Sequence, residues 1–156
     1  MKTLSVLSVL SVIGYAAAAV PTAIFHGMGD ACIHPGMHSF AKKIADETGA
    51  YAKCVEIGNG SMTSLFENFE KQAEEACEKV INDPNFQGEF NVLGLSQGGL
   101  IARHIVERCP TQGQPRNLVT LGGPNMGVAK IPNCFDGAFC NILNYIADNL
   151  VYFDVV

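Results

Sequence analysis

The spacing of apolar residues changes period several times along the chain. Thr22–Gly27 is a short apolar run closed by glycine, the signature of a buried strand. Residues 37–49 place Phe40, Ala41 and Ile44 on one side and stop at Gly49, which predicts a helix with a glycine cap. Residues 50–58 alternate and are rich in β-formers, predicting a second strand. Met62, Leu65, Phe66, Phe69, Ala73, Ala76, Cys77 and Val80 then recur at steps of three and four, predicting one helix that ends at the Asp83-Pro84-Asn85 break. Further strands are expected at 89–95 and 116–123, further helices at 97–109 and 141–153, with a loop over 124–140. Strands alternating with helices predict an α/β fold whose mostly parallel sheet is flanked by helices.

The Met/Phe stripe over 62–80 is read as core packing against the sheet, in preference to a lipid-binding groove. Glu67, Glu70, Glu74, Glu75 and Glu78 fall largely on the remaining, solvated faces. The first nineteen residues are set apart. Lys2 precedes an apolar stretch, and Ala16–Ala19 offer a cleavage site before Val20, the pattern of a secretory signal peptide. A membrane span needs about 20 strongly apolar residues. This stretch is shorter and interrupted by serines, so no transmembrane span is expected, and residues 20–156 form the folded part.

Composition narrows the partners. Hydrophobic residues make up 48% and charged residues 16%, enough for a packed core in one domain. A net charge of −5, with no run of Lys or Arg, argues against nucleic acid. Six cysteines, Cys32, Cys54, Cys77, Cys109, Cys134 and Cys140, fit disulfides in an oxidising compartment, although six allow 15 connectivities. No Cys/His spacing matches a zinc site, so neither metal nor cofactor is expected. Asn59-Gly60-Ser61 is a glycosylation sequon usable on the secretory route.

The chemistry concentrates in Gly94-Leu95-Ser96-Gln97-Gly98, a G-x-S-x-G pattern between a predicted strand and helix. A serine on so sharp a turn is strained, and the residues two before and two after it must lack side chains. Gly99 gives the helix further room to approach the sheet. The hydroxyl would then project at the carboxyl edge of the sheet beside a helix N-terminus, where developing negative charge is favoured. The alternative is a glycine-rich turn with an idle serine. His26-Gly27-Met28-Gly29-Asp30 closes the first strand and reads either as an oxyanion loop or as a flexible turn. A tetrahedral intermediate needs two N–H donors, and Gln97 and Met28 are the candidates, through their backbones.

A serine nucleophile also needs a base. His104 follows Ser96 by eight residues on the same predicted helix, roughly 12 Å along its axis, too far for proton transfer. His26, His34 and His38 all precede the serine. His34 and His38 stand four apart and could pair on a metal, but no third ligand is evident; they are read as surface residues at a helix start.

The segments His26–Asp30 with Cys32 nearby, 55–60, 94–100, 107–110, 118–128 and 131–134, in this order, resemble the palmitoyl-protein thioesterases, lysosomal α/β-hydrolases that remove fatty acyl groups from cysteine sulfur. The resemblance runs from Pro21 to about Cys140. It implies Ser96 as the acyl-accepting nucleophile, Met28 and Gln97 as oxyanion donors, and disulfides Cys77–Cys109 and Cys134–Cys140. Cys32 and Cys54 remain and are expected to pair. The family commonly has two adjacent cysteines after the first glycine loop, whereas Ile33 stands at the second place here. The family's triad acid and histidine both fall beyond residue 156, so the chain is expected to be the N-terminal part of a longer hydrolase.

Three functions stay in play at this point. The first is a serine thioesterase acting on S-acylated proteins or peptides, lysosomal or secreted. The second is a catalytically incomplete fragment or binding module of the same fold. The third is an esterase or lipase acting on oxygen esters.

Overall fold

The computed structural model describes residues 19–127. Most of the expected signal peptide, the Cys134–Cys140 pair and the helix expected at 141–153 lie outside the described residues. The order of elements is β1 (Thr22–Phe25), α1 (Pro35–Thr48), β2 (Ala52–Cys54), α2 (Ser61–Phe66), α3 (Phe69–Asn82), a 3-10 turn (Pro84–Phe86), β3 (Glu89–Leu95), α4 (Gln97–Arg108) and β4 (Gln114–Leu121). The four strands form one sheet in the order β2-β1-β3-β4. Every pairing is parallel, with a register shift between β3 and β4 at Phe90/Asn91. The α/β expectation holds.

Burial on both faces explains the continuous apolar run of β1, in which all four residues are buried. Successive side chains point to opposite faces. Ala23 and Phe25 join Val80, Phe86, Phe90, Val92, Ile101 and Ile105 in the larger cluster under α3 and α4. Ile24 joins Met37 and Leu93 under α1 on the other face, with Phe40, Ala41 and Ile44 packed around them. A disulfide ties Cys77 of α3 to Cys109 just past α4. Closing a loop of that length stabilises the fold by roughly 3–4 kcal/mol through the unfolded chain's entropy.

Two expected elements differ. The strand over 50–58 is only Ala52–Cys54, because the chain then leaves the sheet to build the loops at the carboxyl edge. The single helix over 62–80 is two. Asn68 interrupts it, its side chain accepting hydrogen bonds from the Glu70 and Lys71 N–H groups (2.9 and 3.3 Å) and so capping α3. The buried Gln72 amide bridges the break by donating to the Glu67 carbonyl. The interruption changes which side chains face inward. Ala73, Ala76, Cys77 and Val80 are buried as expected, but Met62 and Phe66 are 59% and 51% exposed, and the core reading of the stripe does not extend to them.

Asp83 secures the turn into β3. Its buried carboxylate accepts from the Asn85 backbone and side chain and from the Lys53 ammonium at 2.7 Å. Burial alone would raise its pKa, but these bonds and the Lys53 charge together hold it below the usual carboxylate range. The stabilisation is therefore present above the ordinary aspartate value and lost as pH falls through the lower folded one. Asp83→Asn is expected to cost about 1–2 kcal/mol near neutral pH and to flatten this part of the acid limb. Denaturant unfolding of both proteins between neutral pH and pH 3 checks this.

Candidate active site around the serine turn

β3 runs directly into α4, and Ser96 stands at the junction. Its φ of 50° and ψ of −122° make it the sole non-glycine residue with positive φ among the described residues. Such a conformation costs on the order of 1–3 kcal/mol and persists only where neighbours enforce it. The enforcing contacts are visible. The Ser96 N–H donates to the Leu121 carbonyl of β4 (2.9 Å), and its own carbonyl accepts from the Gly99 N–H (2.9 Å).

The glycines are needed for the reason expected from the sequence, and the structure names what they avoid. A Cβ on Gly94 would collide with the Gly98 carbonyl, and one on Gly98 with the Phe25 and His26 carbonyls of β1 and its exit. A Cβ on Gly99 would meet the Gly123 Cα at 3.1 Å. Ser96 itself is exposed.

The loop after β1 passes against this turn. A Cβ on Gly27 would lie 3.1 Å from the Ser96 Cβ and 3.8 Å from its Oγ. Neither the Met28 N–H nor the Gln97 N–H has an acceptor among the described residues. Gln97 follows Ser96 directly and Met28 follows the Gly27 that packs on it, which makes both N–H groups candidates for an oxygen carrying negative charge.

Ser64 and Glu56, not singled out from the sequence, join Asp30, His34 and the expected Cys32–Cys54 pair in holding that loop. The Gly29 N–H donates to Ser64 Oγ (2.9 Å), and the buried Ser64 hydroxyl donates on to the Ser61 carbonyl. Asp30 Oδ1 accepts from the Ala31 N–H and from His34 Nδ1. Burial would raise the Asp30 pKa, but these two bonds and the His34 and His26 charges lower it overall. Cys32 and Cys54 form a disulfide joining the loop to the end of β2. Glu56 reaches across to His26, its Oε1 lying 2.7 Å from Nε2, while its Oε2 accepts from the Cys32 N–H at 2.7 Å. A lone acid in the otherwise apolar 55–58 stretch was the available signal, and periodicity gave it no role.

The histidines divide among other duties. His26 is buried and engaged at both ring nitrogens, Nδ1 lying 2.9 Å from the Gly27 carbonyl. His34 precedes α1 and pairs with Asp30, and His38 is exposed on that helix. His104 is partly buried on α4. His26, Cys32 and Glu56 bring three metal-ligand atom types within 4.8 Å of one another, but the Cys32 sulfur is committed to its disulfide, leaving two ligands. An open groove of 560 Å³ between β2 and α3 includes neither Ser96 nor Met28. Among its lining charges, Lys53 pairs with Asp83 and Lys79 with Glu75. Asn59 is exposed, and among the described residues no helix is long and apolar enough to cross a membrane.

The chain is 33% identical to palmitoyl-protein thioesterase 1 of Caenorhabditis elegans over 144 residues, covering 88% of this chain and 48% of the relative. It is 35% identical to palmitoyl-protein thioesterase 3 of Dictyostelium discoideum over 136 residues, covering 85% and 46% respectively. The chain thus spans about half the length of these relatives. The family model described as palmitoyl protein thioesterase matches residues 21–156. With its parallel sheet, serine turn and matching segments, the chain belongs to the palmitoyl protein thioesterase family, and its fold is of the α/β-hydrolase type.

Proposed function

We propose that this polypeptide carries the acyl-transfer half of a serine thioesterase acting on S-acylated proteins or peptides. The observation that carries the reading is Ser96, held at positive φ with the Gly27 loop packed against it and the Met28 and Gln97 N–H groups without an acceptor among the described residues. Ser96 Oγ attacks the thioester carbonyl and its proton passes to a base. The carbonyl oxygen takes up negative charge facing the Met28 and Gln97 N–H groups. Collapse expels the cysteine thiolate, which takes the proton the base received from Ser96, and leaves an acyl-serine; water then releases the fatty acid and restores the hydroxyl.

The base is not among the four histidines. His26 is occupied at both nitrogens, His34 faces Asp30, His38 is exposed on α1, and His104 lies eight residues along α4. The family resemblance implies a triad acid and histidine supplied from beyond residue 156. Two disulfides and the exposed Asn59 sequon support a secretory route, lysosomal or secreted.

Turnover of a palmitoyl thioester, compared between this chain and the complete polypeptide the gene encodes, tests the reading. The complete protein is expected to be active. This chain alone is expected to show at most the residual catalysis of oxyanion hole and binding. Full activity from residues 20–156 would overturn the assignment of the base. Preference for a matched oxygen ester would move the substrate class to lipid or other oxygen esters.

A further inference from the structure

The Gly27–Met28 peptide is held from behind. Its carbonyl accepts from His26 Nδ1 at 2.9 Å and from the Asp30 N–H at 3.2 Å. No peptide bond described is cis, so in this unit the Met28 N–H points opposite to the Gly27 carbonyl. Whatever fixes that carbonyl therefore aims the Met28 N–H. The His26 ring that fixes it is buried, and its other nitrogen rests on Glu56 Oε1 at 2.7 Å.

Building on the thioesterase reading, we propose that Glu56 is a positioning residue: it acts through His26 to aim the Met28 N–H at the oxygen that becomes negative in the transition state. Three observations converge on this carboxylate. Its two oxygens hold both ends of the loop, His26 at the entry and the Cys32 N–H at the exit. The loop between carries Gly27, which lies against Ser96. Room for the carboxylate comes from Gly60, at φ +62°, where a Cβ would stand 3.0 Å from Glu56 Oε1.

The chemistry of the contacts is specific. Glu56 Oε1 and the Gly27 oxygen are both acceptors, so both His26 contacts are hydrogen bonds only when the ring carries a proton on each nitrogen. A carboxylate carries the charge that matches a ring in that state, whereas an amide oxygen accepts without it. Glu56 forms and breaks no bond in the reaction, so its contribution lies in the direction of one N–H.

The complete polypeptide with Glu56→Gln tests this. A gain of oxyanion stabilisation that appears only in the transition state acts on kcat. The variant is expected to lose about 10- to 100-fold in kcat on a palmitoyl thioester, less than outright removal of an oxyanion donor, with KM within about twofold. His26→Gln severs the relay while leaving Glu56 on the Cys32 N–H. It is expected to lose as much, and the double variant no more than either single one. In the wild-type protein, nitrogen-15 spectra are expected to show protons on both His26 ring nitrogens, with one lost in Glu56→Gln.

Unchanged kcat in a folded Glu56→Gln protein, additive losses in the double variant, or a wild-type ring bearing one proton would each overturn the positioning role. The last reading needs no variant, so it stands even where Glu56→Gln fails to fold. A wild-type protein without thioester turnover would instead remove the thioesterase reading, and the role with it.

Discussion

Ser96→Ala in the complete protein is expected to lower kcat on a palmitoyl thioester by about 10⁴-fold or more, with little change in thermal midpoint. The size follows from the proposed mechanism: without Oγ no acyl-enzyme forms, and what remains is binding and oxyanion stabilisation of direct water attack. The small stability change follows from the backbone. Alanine meets the same penalty as serine at φ 50°, so the folded state gains no relief. Ser96→Gly separates the two effects. It is expected to be equally inactive, while relief of the strain offsets the greater freedom of its unfolded chain. Steady-state hydrolysis and thermal unfolding of the three proteins provide the measurement. More than about one hundredth of wild-type kcat in Ser96→Ala would remove Ser96 from the nucleophile's role.

Gly98→Ala is expected to be among the most damaging single methyls that can be added near the turn. The new Cβ would run into two backbone carbonyls, those of Phe25 and His26, rather than into a side chain able to rotate away. Relief requires α4 to lift off β1, opening the cluster that holds Phe25, Ile101, Ala102 and Ile105. A cost of about 3 kcal/mol or more follows, at the upper end for overpacking. For a domain of this size that lowers the thermal midpoint by about 10 °C. Gly36→Ala is the informative contrast. Gly36 lies in the first turn of α1 with nothing within 4 Å of a built Cβ, so its helix propensity predicts no loss. Equal destabilisation by the two changes would mean that the close approach at Gly98 is not what the fold depends on.

Legibility differed between local and distant features. The helix cap at Gly49 was readable because a left-handed residue there, at φ 64°, has a composition signature of its own. The serine turn was readable because two glycines at fixed spacing mark a backbone collision that is nearly local. The break at Asn68 was missed for the opposite reason. Apolar residues on both sides of it keep steps of three and four, so periodicity alone runs one helix into the next. An asparagine two residues before a glutamate was the overlooked capping signal.

The same division holds for the site. Met28, Ser96 and Gln97, the proposed oxyanion donors and nucleophile, stood out because they fall in short motifs with little choice of residue. Glu56 and Ser64 did not. Their partners, His26 and Gly29, are 30 and 35 residues away, and only the parallel pairing of β2 with β1 sets the two loops side by side.

The sequence by itself determined the alternation of strand and helix, the serine on its glycine-flanked turn and the oxidising chemistry of the cysteines, since each depends on neighbours within a few residues. Tertiary structure alone decided that Met62 and Phe66 face outward, that His26 is engaged at both nitrogens, and that a distant carboxylate stands behind the peptide facing Ser96. Those outcomes depend on how elements far apart in the chain are brought together by the sheet, and the spacing of residues along the chain carries no record of that distance.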